Sequence, residues 1–197
     1  MPFIRSADPD PEPGPLADMF AADRRAWGYL PNLATTFGVR PAVYAAWRQL
    51  NGAIKSGMSA RRYELATLAA ALELRSSYCS LAHGKVLAAE HLSEEELIAL
   101  TAGDLGGLTA EDAAIVTFAR QVVRDAPGVT ADDLEPLRIA GLGDDDIFGV
   151  ILAAAARCFF STALDATGTE PDAAFDALPT RLRDALTVGR PRAVATH

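Results

Sequence analysis

Between Pro41 and Leu186 the apolar residues recur at three- and four-residue intervals, and residues that begin helices well open each run. That spacing gathers apolar side chains on one face of a helix, whereas a half-buried strand needs alternation at period two, which is absent. Pro41 opens a segment with Val43, Ala46, Trp47 and Leu50 on one face, since proline is tolerated in a first helical turn. Ser59 is predicted to cap a helix carrying Leu65, Leu68, Ala69 and Leu72, and Ser93 to cap the next. There Glu94, Glu95 and Glu96 fall in the first turn, where the helix dipole favours negative charge. Thr109 with Asp112 starts a helix to about Asp125 that Pro127–Gly128 ends, and Thr130 with Asp133 starts another. Asp144, Asp145 and Asp146 begin a long helix closed by Gly168, and a last helix is predicted from Pro171 to Leu186. The expected fold is all-α: a single compact helical domain over residues 16–187, with an extended Pro-rich arm at 1–15 and a flexible tail at 188–197.

At 197 residues the chain can bury one sizeable core, and half of its residues are hydrophobic. A formal charge of −8 argues against a phosphate-binding surface, so no nucleic-acid partner is expected. The first residues lack the apolar stretch of a secretory leader. The apolar run Val150–Phe160 is about half the length of a membrane span and contains Arg157. These features predict a soluble cytoplasmic protein with no membrane partner, in which two cysteines are not a disulfide scaffold. The acid clusters lack the oxygen spacing of a calcium loop, and Gly103, Gly106 and Gly107 lack the strand and lysine of a phosphate loop.

Chemistry concentrates in R-R-Y-E-L-A-T-L-A-A-A-L-E-L-R-S-S-Y-C-S-L-A-H-G-K, residues 61–85. Cys79 and His83 are four apart and share one helix face. A histidine there can accept the thiol proton, and the thiolate is the nucleophile. Ser76 and Ser77 are candidate caps that place Cys79 in a first turn. Glu64 precedes Cys79 by 15 residues, about 22 Å along a continuous helix. A reversal near Arg75–Ser77 would instead form a helical hairpin and bring Glu64 to His83, orienting the imidazole. The plain alternatives are a buried structural cysteine and a surface histidine. Three ligands from Glu64, Cys79 and His83 could also hold zinc, an unusual donor set, so no metal and no cofactor are expected.

Glu64, Ser76, Cys79 and His83 follow the layout E-x(11)-C-x-x-C-x-x-x-H, with Ser76 in place of the first cysteine. Together with Y-L-P-N-L (Tyr29–Leu33), M-S-A-R-R-Y-E-L before the thiol helix and L-D-A-T-G-T-E-P-D (Leu164–Asp172), this resembles the alkylhydroperoxidase-D-like, or carboxymuconolactone decarboxylase-like, family over roughly residues 20–178. The resemblance implies an all-α fold with the site on a helical hairpin, assembled as a trimer or hexamer. It also implies a peroxidase in which Cys79 attacks a hydroperoxide while His83 and Glu64 relay protons. Tyr78 stands where family members often carry His or Tyr, either to hydrogen-bond an intermediate or to pack at an interface.

The departure at Ser76 excludes a disulfide within the motif, because serine cannot resolve a sulfenic acid. The expected activity is therefore a one-Cys peroxidase reduced by an external thiol, with Cys158 either a replacement resolving thiol or, in its apolar setting, a structural one. Two alternatives remain: acid–base chemistry on a carboxylated lactone by Glu64 and His83, and a non-catalytic oligomeric binding protein with a decayed site.

Overall fold

The computed structural model describes residues 2–192, among which there is no strand. The helices run α1 (Pro15–Trp27), α2 (Asn32–Phe37), α3 (Pro41–Ser56), α4 (Ala60–Glu73), α5 (Ser77–Glu90), α6 (Glu94–Thr101), α7 (Ala110–Asp125), α8 (Glu135–Ile139), α9 (Asp144–Ala166) and α10 (Thr180–Leu186). The caps fall where the sequence puts them. Ser59 accepts from the Arg62 N–H, Ser93 and Glu96 form a reciprocal capping box, and Thr109 accepts from the Asp112 N–H. Ser76 precedes α5, yet its hydroxyl makes no capping bond; it is buried beside the Asp165 carboxyl. The predicted closing helix is divided into a 3₁₀ turn at Ala173–Ala177 and α10. Pro179 holds Leu178 extended between them, as proline disfavours helical backbone in the residue before it.

Helix α4 is the centre of the molecule, packed against α5, α7 and α9. It is buried nearly all round, from Tyr63 through Leu72, so its neighbours must supply partners for any polar atom it carries. Arg61 and Arg62 anchor its first turn. Arg61 forks onto the Asp112 carboxylate of α7 at 2.6 and 3.1 Å and donates to the His91 carbonyl that ends α5. Arg62 bridges Glu111 of α7 and Asp146 of α9. Helix α9 is long and apolar enough, by length and composition alone, to cross a bilayer. Here it is a core helix on α3, α4, α5 and α7 that buries Val150, Ala154 and Leu164.

The chain reverses between α4 and α5 at Arg75, whose φ of 55° is the left-handed conformation, at a cost of about 1–2 kcal/mol for a residue with a side chain. Residues after α10 lie on this turn: the Gly189 N–H donates to Ser77 Oγ at 2.8 Å, and a Cβ on Gly189 would collide with the Arg75 carbonyl. At the other end of the chain, Phe3 donates its N–H to the Thr167 carbonyl, and its ring lies over Gly168, which closes α9 with φ 71°. Arg190 sits over that same ring at 4.7 Å and donates to the Asp165 carbonyl. Residues 2–15 thus follow their own chain, with a further tie from the Ala7 N–H to the Thr35 carbonyl. Of the tail expected at 188–197, positions 193–197 lie outside the described residues.

Replacing Arg61 by alanine strands the Asp112 carboxylate, which is 2% exposed, and is expected to destabilise the fold by about 2 kcal/mol. Urea denaturation of Arg61→Ala beside the parent checks this.

Candidate active site

The left-handed turn at Arg75 sets α5 antiparallel to α4 and brings Glu64 to His83. Nδ1 of His83 and Oε2 of Glu64 are 2.7 Å apart, and Oε1 of the same carboxylate accepts from Lys55 Nζ of α3 at 3.2 Å. Glu64 is 2% exposed, and two donors satisfy it. Burial pushes its carboxyl up, but the His83 hydrogen bond and the Lys55 charge outweigh this and leave it below its ordinary pKa. An ionised carboxylate only accepts, so the His83 proton sits on Nδ1, and Nε2 carries the lone pair. Burial and the nearby Arg157 charge push the His83 pKa below the ordinary imidazole value, against the pull of Glu64. His83 is consequently a neutral base around pH 7.

Cys79 is the third residue of α5, one turn before His83, where free backbone N–H groups favour an anion. It is 1% exposed and lines a cavity of about 530 Å³ together with His83, Glu64, Tyr63, Arg157 and the aromatic wall of Trp47 and Phe160. Trp47 and Phe160 stack with ring centres 4.5 Å apart. Tyr63 stands edge-on to His83 and donates to Asn51 Oδ1 at 2.7 Å. The rim carries Arg48, paired with Asp23 at 3.0 Å. Burial raises the Asp23 pKa, opposed by the Tyr44 hydrogen bond and by Arg48. A larger concavity of about 610 Å³, between α5 and the closing segment, reaches Asp172 and Arg183 but neither Cys79 nor His83.

The structure brings Glu64, Cys79 and His83, the three residues the sequence singles out, to one cavity. Tyr78 lines it too, but its hydroxyl is committed to scaffolding: it donates to Asp172 Oδ2 at 2.6 Å and accepts from the Leu33 N–H at 3.3 Å. Asp172 also accepts from Tyr29 and from the Asn32 N–H. The Y-L-P-N-L block and the closing T-E-P-D segment therefore meet at one buried carboxylate. Ser76 does not line the cavity. Cys158 follows Arg157 on α9 but also lies outside the lining; burial raises its thiol pKa, and both cysteines are free. No cluster of three or more His, Cys, Asp or Glu among the described residues is arranged to hold a metal ion.

Sequence reasoning missed Arg157, Tyr63, Asn51 and Lys55. Only Arg157 had a visible mark, as the one charge inside an apolar run. The other three are ordinary helix-surface residue types that acquire meaning through packing.

An all-α protein with a thiol, an imidazole and a carboxylate converging on one helical hairpin defines the class. Residues 41–125 match the carboxymuconolactone decarboxylase family. The fold is shared with an uncharacterised peroxidase-related protein with an alkylhydroperoxidase AhpD core from Ralstonia eutropha JMP134, at TM-score 0.76 and 19% identity over 88% of this chain and 94% of that one. A peroxidase-related protein from Silicibacter sp. TM1040 superposes at 0.73 with 20% identity, covering 87% and 94% of the two chains. The debrominase Bmp8 in complex with 2,3,4-tribromopyrrole superposes at 0.69 with 15% identity over 86% and 90%. No curated protein matches the chain in sequence. Residues 41–125 thus resemble the carboxymuconolactone decarboxylase family, and the chain shares the all-α fold of the alkylhydroperoxidase AhpD core.

Because the folded His83 pKa is depressed, its basic form persists below the ordinary value of about 6.5. The sign for stability follows: the unfolded state takes up the proton first, so the neutral site's contribution is held above about pH 6.5 and lost as pH falls through the folded value. Histidine-selective NMR titration is expected to show His83 titrating below the ordinary imidazole value, and Glu64→Gln to lower it further.

Proposed function

We propose that the chain is a thiol-dependent peroxidase of one-Cys type acting on hydroperoxides. The observation that carries this reading is one cavity lined by both Cys79 and a neutral His83 held by ionised Glu64. In the first step Nε2 of His83 takes the Cys79 proton. The thiolate sulfur then attacks the distal peroxide oxygen, an S–O bond forms as the O–O bond breaks, and the leaving alkoxide receives the proton from His83. Sulfur is oxidised by two electrons to the sulfenic acid, and the hydroperoxide is reduced to an alcohol. Two equivalents of an external thiol restore Cys79, releasing water and a disulfide. Serine at position 76 and the absence of Cys158 from the cavity lining support recycling by an external thiol rather than an internal one.

The reading needs no cofactor and no metal, and it places the protein in a reducing cytoplasm with neither nucleic acid nor membrane as partner. A homo-oligomer, trimeric or hexameric, fits the apolar side chains left outside, among them Val43, Leu50, Phe148 and Phe159. A second reading, acid–base chemistry on a lactone, is favoured by one observation: the Glu64–His83 pair is complete without sulfur.

Treating the Cys158→Ser protein with cumene hydroperoxide and then dimedone is expected to give a mass-spectrometric adduct on the Cys79 peptide. Peroxide consumption with dithiothreitol should fall to background in Cys79→Ala and about 100-fold or more in His83→Ala. No adduct at Cys79 sinks the peroxidase reading; lactone turnover that survives Cys79→Ala but not His83→Ala establishes the second.

A further inference from the structure

We propose that Arg157 is a catalytic residue whose guanidinium is the counter-charge of the anion formed at Cys79, so that the cavity is built for reactants uncharged at the reacting end. The inference rests on the proposed function only in taking Cys79 as the reacting atom.

Arg157 is 5% exposed, and among the described residues it meets no carboxylate. A buried cation without an anion is among the most costly arrangements a core can hold. Its contacts are few. Nη1 lies 3.7 Å from Cys79 Sγ, and Nη2 lies 3.5 Å from Asn51 Oδ1. The guanidinium carbon is 5.5 Å from the Trp47 ring and 5.2 Å from that of Phe160, while Nε has no hydrogen-bond partner. The two aromatic faces fix the plane of the group, and the sulfur is the atom in contact able to become negative.

The other charges around the cavity are already balanced. From α3, Lys55 pairs with Glu64 of α4 and Arg48 with Asp23 of α1. From α5, His83 is held neutral, and the Tyr78 hydroxyl is engaged with Asp172. Tyr63 of α4 remains a phenol, its pKa raised by burial. One positive charge, that of Arg157 on α9, is left over, directly against the thiol. The same charge opposes protonation of His83, so the group that balances the thiolate is Arg157, and the imidazole stays free to carry the proton. A substrate carboxylate in the cavity would compete with the thiolate for this cation.

The test is alkylation of Cys79 by neutral iodoacetamide from pH 5.5 to 10 in the Cys158→Ser protein, comparing Arg157→Lys, Arg157→Gln and Arg157→Met. At pH 7 the Gln and Met variants are expected to react about tenfold or more slowly, Arg157→Lys to recover to within about threefold, and all curves to converge by pH 10. Lys and Gln both shorten the side chain, so comparing them separates loss of charge from loss of packing, and alkylation in urea marks the rate of an unfolded chain. The His83 NMR titration should move upward in Arg157→Gln, which a purely structural role would not produce. Equal alkylation of Arg157→Gln and parent at pH 7 overturns the proposal. Protection of Cys79 by millimolar benzoate that disappears in Arg157→Gln also overturns it, because the guanidinium is then a seat for a substrate carboxylate. Alkylation involves no peroxide, so failure here and failure of the dimedone experiment are separate results.

Discussion

The structure depends on one buried carboxylate. Glu64 lies on the most enclosed helix of the molecule, where an ionised group survives only if its neighbours supply donors. Lys55 comes from α3 and His83 from α5, so satisfying Glu64 fixes how both helices sit against α4. The hairpin turn, with its left-handed Arg75, is the backbone deformation that this pairing requires. Stability and chemistry thus draw on the same contact: the hydrogen bond that rescues the buried acid also sets the tautomer of the base.

Much of this was legible in the sequence, and the reasons differ by element. The caps at Ser59, Ser93 and Thr109 act through neighbours three residues away, so local pattern suffices to place them. The apolar spacing of the closing segment predicts one helix because it continues through Pro179, where the backbone cannot follow. In the site, Cys79 and His83 were readable from a single helical turn, and Glu64 from assuming a reversal. Arg157 is visible as a lone charge in an apolar run, but its place beside the thiol is not. It sits 78 residues from Cys79, and only the packing of α9 across α5 brings it to the sulfur. Ser76 shows the opposite failure: local pattern suggests a cap, while tertiary burial turns the hydroxyl toward Asp165.

The relatives in fold illustrate how little the scaffold alone decides. Peroxidase-related proteins and a debrominase share the helical frame at about one-fifth identity or less. The frame supplies a helical hairpin; in this chain the side chains around the Cys79 sulfur decide what reaches it and in which charge state. In this chain those surroundings combine a flat aromatic wall, a neutral base and a cation without a carboxylate, in a cavity large enough for a small organic molecule.

The contacts of Phe3, Gly168 and Arg190 have a topological consequence. Segments near both ends of the chain converge on the last turn of α9, with the cation of one over the ring of the other. Among the described residues the segments around Phe3 and Arg190 are thus held together without a covalent link. A circularly permuted chain, joined here by a short linker and reopened at an exposed loop such as Gly106–Gly107, would keep the hairpin and its cavity intact. The order of helices along the chain is then incidental to the site; their arrangement around α4 is what the site requires.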